Sequence, residues 1–314
     1  MRTLRVMTVL ALTTLAIEHA QAATNTWNKL VGGNASGSWT NAANPPWSAG
    51  ALPGATDTAD FNTLDITADS TVTLDGDQSI NALIFGDTTT SSAANWVLSG
   101  GTPSTSALTL GGTASTITVN TLGNGKAATI SANLAGTAGM TKAGAGTLTL
   151  SGANTYSGGT TLSVGTLNIN STNALGTGIF TIGDRSSSVT INNTSGGPIT
   201  NANNNPITIN TIWRGCTFTG TSDLNFGRGV VTFGDSSVTV SSGTVTFGGA
   251  FTNSGMGNLQ KYGGGTMTLN GGYTNTSGGY RLIMNAGVVN VNANSYGAQF
   301  RVVCNFQDWL IKAT

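Results

Sequence analysis

The feature that most constrains this chain is an internal echo. Residues 140–170, MTKAGAGTLTLSGANTYSGGTTLSVGTLNIN, return at residues 259–292 as LQKYGGGTMTLNGGYTNTSGGYRLIMNAGVVNVN. Lys142, Gly144, Gly146, Leu150, Gly152, Gly158, Gly159, Leu162 and Gly165 align with Lys261, Gly263, Gly265, Leu269, Gly271, Gly278, Gly279, Leu282 and Gly287. The offset drifts only from 119 to 122 residues, so insertions fall between strands and leave the strands whole. Self-similarity of this kind marks a repeat architecture.

Each copy alternates a Gly-bearing turn with a short strand of period two. Leu148 and Leu150 share one face and Thr147 and Thr149 the other. Leu162 with Val164 and Leu167 with Ile169 read as further doublets, with Gly158, Gly159 and Gly165 at the corners. Two inward side chains cannot make a core alone. Stacked about 4.8 Å from a neighbour, they form part of a continuous apolar column. The same grammar recurs at Ile117/Val119, Phe180/Ile182, Val189/Ile191, Ile207/Ile209, Val231/Phe233, Val238/Val240 and Val245/Phe247. Hairpin turn pairs such as Asn124-Gly125 and Asp75-Gly76 are scarce. An all-β chain wound as a parallel solenoid is therefore expected, ahead of a sandwich or a set of hairpins.

Residues 140–182 resemble the autotransporter-associated β-strand repeat (the passenger-associated transport repeat) of large bacterial surface proteins. The resemblance rests on Lys-x-Gly-x-Gly-Thr-Leu-x-Leu-x-Gly, Tyr156-Ser157-Gly158-Gly159 and the following Gly-Thr-Leu, and it is weaker over residues 259–292. It implies a right-handed parallel β-helix within a secreted, surface-displayed passenger. It implies no catalytic residue, because the motif is structural.

Residues 1–22 read as a secretory signal. Arg2 and Arg5 precede a short apolar run, and Ala20-Gln21-Ala22 supplies small residues for cleavage. Its removal would take away His19 and Glu18, the single histidine and the single glutamate. The remainder is nearly neutral and rich in Thr, Ser, Asn and Gly, with no field to gather nucleic acid or an anionic membrane. A Ser-His-Asp triad or a histidine-based zinc site is excluded, and no cofactor is expected. Localisation is expected to be secreted or at the cell surface, associated with the outer membrane, with no transmembrane segment in the mature chain.

Residues 23–112 read as an N-terminal cap merging into the first coils. They hold Trp27, Trp39, Trp47 and Trp96 and seven aspartates between Asp57 and Asp87. A solenoid must cover its first open edge. The tryptophans either seal the apolar column, offer a platform for stacking on a glycan, or pack against another surface protein. Asp75 and Asp77 are turn residues in one reading and part of a Ca²⁺ site in another. Residues 113–294 read as the β-helix proper, with asparagines at 192–205 able to stack as ladders. Residues 295–314 break the pattern and fit either a cap or a truncated end.

Cys216 and Cys304 are the only cysteines and leave a disulfide open. Asp184, Asp223 and Asp235, with Arg185 or Arg228, are the only mid-chain groups an acid-base polysaccharide lyase or hydrolase would use. The expected function is a non-enzymatic, exported stalk or display scaffold on the order of 60 Å long. An adhesin or carbohydrate-binding module is the first alternative, and a β-helical polysaccharide-degrading enzyme the second.

Overall fold

The computed structural model describes residues 22–41, 46–92, 94–211, 214–253, 257–274 and 281–292, and the backbone alone of Arg301–Cys304 and Lys312–Ala313. The expected signal segment lies outside the described residues, save Ala22, as do Gly278, Gly279 and most of the atypical tail.

Every strand pairing between named strands is parallel, and the chain winds as a three-sided β-solenoid. One side is an eleven-stranded sheet from Thr24–Thr26 to Tyr273–Thr274. The second is a twelve-stranded sheet from Gly37–Ser38 to Arg301–Cys304. The third side carries two shorter sheets, of three strands early in the chain and six later. Between them, around residues 151–158 and 170–178, the third side is turn and extended chain. At about 4.8 Å per coil the twelve-stranded side is on the order of 50 Å long. Among the described residues no helix is long and apolar enough to cross a membrane.

The period-two doublets drive this winding. Phe180, Ile207 and Val231 stand in register on one side, as do Ile182, Ile209 and Phe233, and all six are buried. Between them the outward residues form a threonine column, Thr141, Thr161, Thr181, Thr208, Thr232 and Thr252. A β-branched side chain with a hydroxyl suits a strand wet on one face.

Coil length varies more than the sequence suggests. Thr24 stands opposite Thr58, a coil of 34 residues, whereas Met140 stands opposite Thr160, a coil of 20. The long early coils carry extra loops, and the tightest winding falls in the first copy of the repeat, where Thr147 stands opposite Thr166, a coil of 19.

The expected doublet of Leu162 and Val164 is corrected. The strand is Thr160–Leu162, so Thr160 and Leu162 point inward and Val164 sits half-exposed at the next corner. The alignment of Leu162 with Leu282 also shifts. Lys142 pairs with Leu162, but Lys261 pairs with Met284, so Met284 holds the equivalent place. The extra residues of the second copy are therefore already spent before the strand begins.

Candidate functional site

The signature lysine is the chemical centre of the repeat. Alternation along Gly139–Ala143 turns Met140 and Lys142 inward and Thr141 outward, so an ammonium enters an apolar column. Lys142 is fully buried and its Nζ donates to the carbonyls of Ala143 (2.9 Å), Gly144 (2.7 Å) and Val164 (3.1 Å). An ammonium has three donors, and all three are used. Two of the acceptors lie at its own corner and the third on the next coil, so the side chain ties one winding to the next.

Lys261 repeats the arrangement. It too is fully buried, and donates to Tyr262 (2.9 Å), Gly263 (2.7 Å) and Ala286 (3.0 Å). Burial pushes both lysines down, Lys142 to about 7 and Lys261 to about 8, while the carbonyl dipoles favour the charged form and work against that fall.

Glycine makes the carbonyls available. Gly144 and Gly263 have φ of 76° and 78°, and Gly165 and Gly287 on the succeeding coil have 80° and 75°. A Cβ at Gly165 would lie 2.5 Å from the Gly144 oxygen and 2.9 Å from Lys142 Nζ. At Gly287 the same atom would lie 2.3 Å from the Gly263 oxygen and 2.7 Å from Lys261 Nζ. These glycines are a requirement of both backbone conformation and space.

The other motif residues staple the third side. Asn154 is buried; its Oδ1 accepts from the Leu134 amide at 2.9 Å and its Nδ2 donates to the Ala174 carbonyl at 2.8 Å. One side chain thereby joins three successive coils where no strand ladder exists. The Tyr156 hydroxyl meets Thr160 Oγ1 at 2.5 Å, and Thr160 Oγ1 donates to the Leu175 carbonyl at 3.0 Å. Burial holds the Tyr156 phenol well above its ordinary value. Leu148, Leu150 and Leu162 of the first copy and Leu269 and Leu282 of the second supply apolar column residues; Gly146, Gly152, Gly265 and Gly271 lie at the turns beside them.

The four candidate glycan-stacking tryptophans are corrected. Trp27, Trp39 and Trp96 are fully buried and Trp47 is 2 % exposed, so no ring face is open to a sugar. Trp27 and Trp47 meet edge-on at 5.0 Å, Trp39 and Trp47 at 4.6 Å, and Phe61 joins this cluster to Phe85 and Trp96. Indole nitrogens of Trp27, Trp47 and Trp96 donate to the Ala35, Trp39 and Gly86 carbonyls. They pack the first coils together, with three of the four indole donors satisfied by those carbonyls, while the Trp39 Nε1 is buried with no hydrogen-bond partner among the described residues.

The carboxylates staple turns. Asp75 accepts from the Thr73 hydroxyl and the Thr102 amide, and Asp77 from the Ala107 amide. Asp184 accepts from Ser186, Asp223 from the Thr244 amide and Asp235 from the Asn258 amide. Hydrogen bonds from Ser186 hold Asp184 below the usual carboxylate range. Of the asparagines at 192–205, Asn203 accepts from Asn173 of the preceding coil, and outside that run Asn292 donates to Asn270; these are single pairs. Cys216 is a buried free thiol, and burial pushes its pKa up. The side chain of Cys304 lies outside the described residues.

Sequence reasoning placed Lys142 and Lys261 in the motif without seeing their task. A lysine exactly two residues after an inward Met or Leu was the available signal.

Residues 140–169 match the passenger-associated transport repeat family, the span from the buried lysine to the close of the following coil. A stretch of 106 residues is 43% identical to the adhesin BmaC autotransporter of Brucella suis biovar 1 (strain 1330). That match covers 34% of this chain and 3% of the relative. No solved structure matches the chain. The chain thus carries the autotransporter-associated repeat of passenger proteins, in a β-solenoid setting.

Proposed function

We propose that this chain is a non-enzymatic β-solenoid displayed at a bacterial surface, where it acts as a stiff stalk. The observation that carries this reading is the corner lysine, which occurs twice with the same three-carbonyl geometry along an otherwise continuous parallel stack. Each such corner locks a finished coil onto the one before it. During export, winding from one end would resist backsliding of the chain, because each added coil buries its apolar pair at once. Deleting residues 140–169 should lower the amount of folded protein reaching the surface, read by protease accessibility on intact cells. Unchanged surface amounts would overturn the export role. The engagement of Asp184 in its own turn, and of Asp223 and Asp235 with backbone amides of the next coil, supports the non-enzymatic reading, and no turnover is expected across a polysaccharide panel.

Adhesion is a second reading, favoured by the similarity to an autotransporter adhesin. Displayed on a non-adherent bacterium, the chain should raise attachment to host cells or to surface glycans and proteins; attachment equal to the empty display system would count against it.

A further inference from the structure

One exposed aromatic is not explained by the solenoid. On the outer face of the twelve-stranded sheet, a column runs Thr147, Thr166, Thr190, Thr217 and Thr239 in strict register, and its next member is Tyr262. Tyr262 is 38 % exposed, and the equivalent residue of the first repeat is Ala143. The corner closes equally well over both, with the same lysine donating to the carbonyl of Ala143 in one and Tyr262 in the other. The coil therefore has no need of a tyrosine there.

The ring stands beside an open, polar groove of about 410 Å³, within the usual 300–1,000 Å³ or so of small-molecule sites. It is lined by the small residues Gly215, Thr217, Ser237 and Thr239 and by the larger Tyr262, Gln260 and Arg214. The Tyr262 hydroxyl donates to Gln260 Oε1 at 2.7 Å, which fixes the ring's position before any ligand arrives. Asp235 lines the same groove opposite in charge to Arg214, so the lining carries one cation and one anion.

We propose that this groove binds a neutral glycan chain, with Tyr262 as the stacking platform and the Thr217, Ser237 and Thr239 hydroxyls, Gln260, Arg214 and Asp235 as polar partners. A pyranose presents C–H bonds on one face, which suit the negative face of an aromatic ring, and hydroxyls around its rim, which both donate and accept. The balanced charge disfavours an anionic polymer, and the few apolar groups disfavour a lipid or an amphipathic helix. The repeat of hydroxyls along the solenoid axis suits a linear polymer of like units. This inference rests on the adhesion reading and gives it a ligand class.

The test is calorimetric titration of the purified chain with cellohexaose, chitohexaose and maltohexaose, and with a heparin hexasaccharide as the charged comparison. At least one neutral hexasaccharide should bind and heparin should not. Tyr262→Ala should weaken that binding roughly tenfold, the loss of a well-placed aromatic anchor, while Tyr262→Phe retains most of it. Tyr262→Ala restores the residue of the first repeat and should melt like the parent, so a loss of binding will not be a loss of fold. Binding to none of the neutral sugars, preference for heparin, or unchanged affinity in Tyr262→Ala would overturn the proposal. Cells that display the chain and adhere equally with Tyr262→Ala would sink the glycan groove and leave adhesion standing. Cells that do not adhere, with a purified chain that binds sugar, would do the reverse.

Discussion

The two copies of the repeat do the same chemistry on different sides of the solenoid. In the first, Lys142 lies on the eleven-stranded side and the Thr147–Leu150 strand that follows lies on the twelve-stranded side. In the second, Lys261 lies on the twelve-stranded side and Thr266–Leu269 on the third side. The motif has turned by one corner, yet each ammonium meets three carbonyls within 2.7–3.1 Å and each glycine opposite it has the same φ to within a few degrees. The repeat is thus a portable corner and not a marker of one face. What differs is the third side: Asn154 and Tyr156 staple extended chain beside the first copy, whereas a strand ladder runs beside the second.

The comparison breaks first at the glycines. Gly165→Ala and Gly287→Ala should each cost on the order of 4 kcal/mol, because a positive φ and a backbone clash combine. Urea midpoints of the two variants should fall alike; a large loss in one and none in the other would show that the corners are not equivalent.

Next come the lysines. Lys142→Met and Lys261→Met should each cost about 2–3 kcal/mol, leaving carbonyls without a donor but relieving a buried charge. A net gain in stability would mean that desolvation outweighs the three bonds.

The pH dependence sharpens the pair. Both lysines have folded values below the ordinary 10.5, so above them the unfolded chain binds more protons and stability rises with pH. The rise should begin near pH 7 with Lys142 and near pH 8 with Lys261. From about pH 9 Cys216 and then Tyr156, held protonated by burial, oppose it, and the rise should turn over near pH 10 as the lysines of the unfolded chain begin to lose their protons. In the double Lys142→Met, Lys261→Met variant the rising limb should vanish. A rising limb that survives would assign it to other groups.

The smallest effect is expected at the position where the copies differ openly. Ala143→Tyr and Tyr262→Ala should each change stability by under about 0.5 kcal/mol, as exposed substitutions do. A larger loss in Tyr262→Ala would return that ring to the fold and remove it from the groove.

Much of this was legible in the sequence. The doublets at Phe180/Ile182, Val189/Ile191 and Ile207/Ile209 name buried residues directly, because a strand's period of two needs no tertiary information. The parallel sense followed from the rarity of hairpin turns. The role of Lys142 was not legible, since an inward lysine between apolar residues breaks the binary pattern and is explained only when a carbonyl of the next coil arrives. The tryptophans were legible as apolar packing for the first coils, but their burial depended on Phe61 and Phe85 packing from later coils. Tyr262 escaped notice because its meaning lies in what stands beside it in register, Thr239, far from it along the chain.

Parallel stacking in register is tested most directly by spin-label distances along the outer threonine column. Labels at Thr141→Cys paired in turn with Thr161→Cys, Thr181→Cys, Thr208→Cys, Thr232→Cys and Thr252→Cys should give separations growing by about 4.8 Å per coil. Distances that stall, shorten or alternate along the series would contradict the solenoid and everything built on its corners.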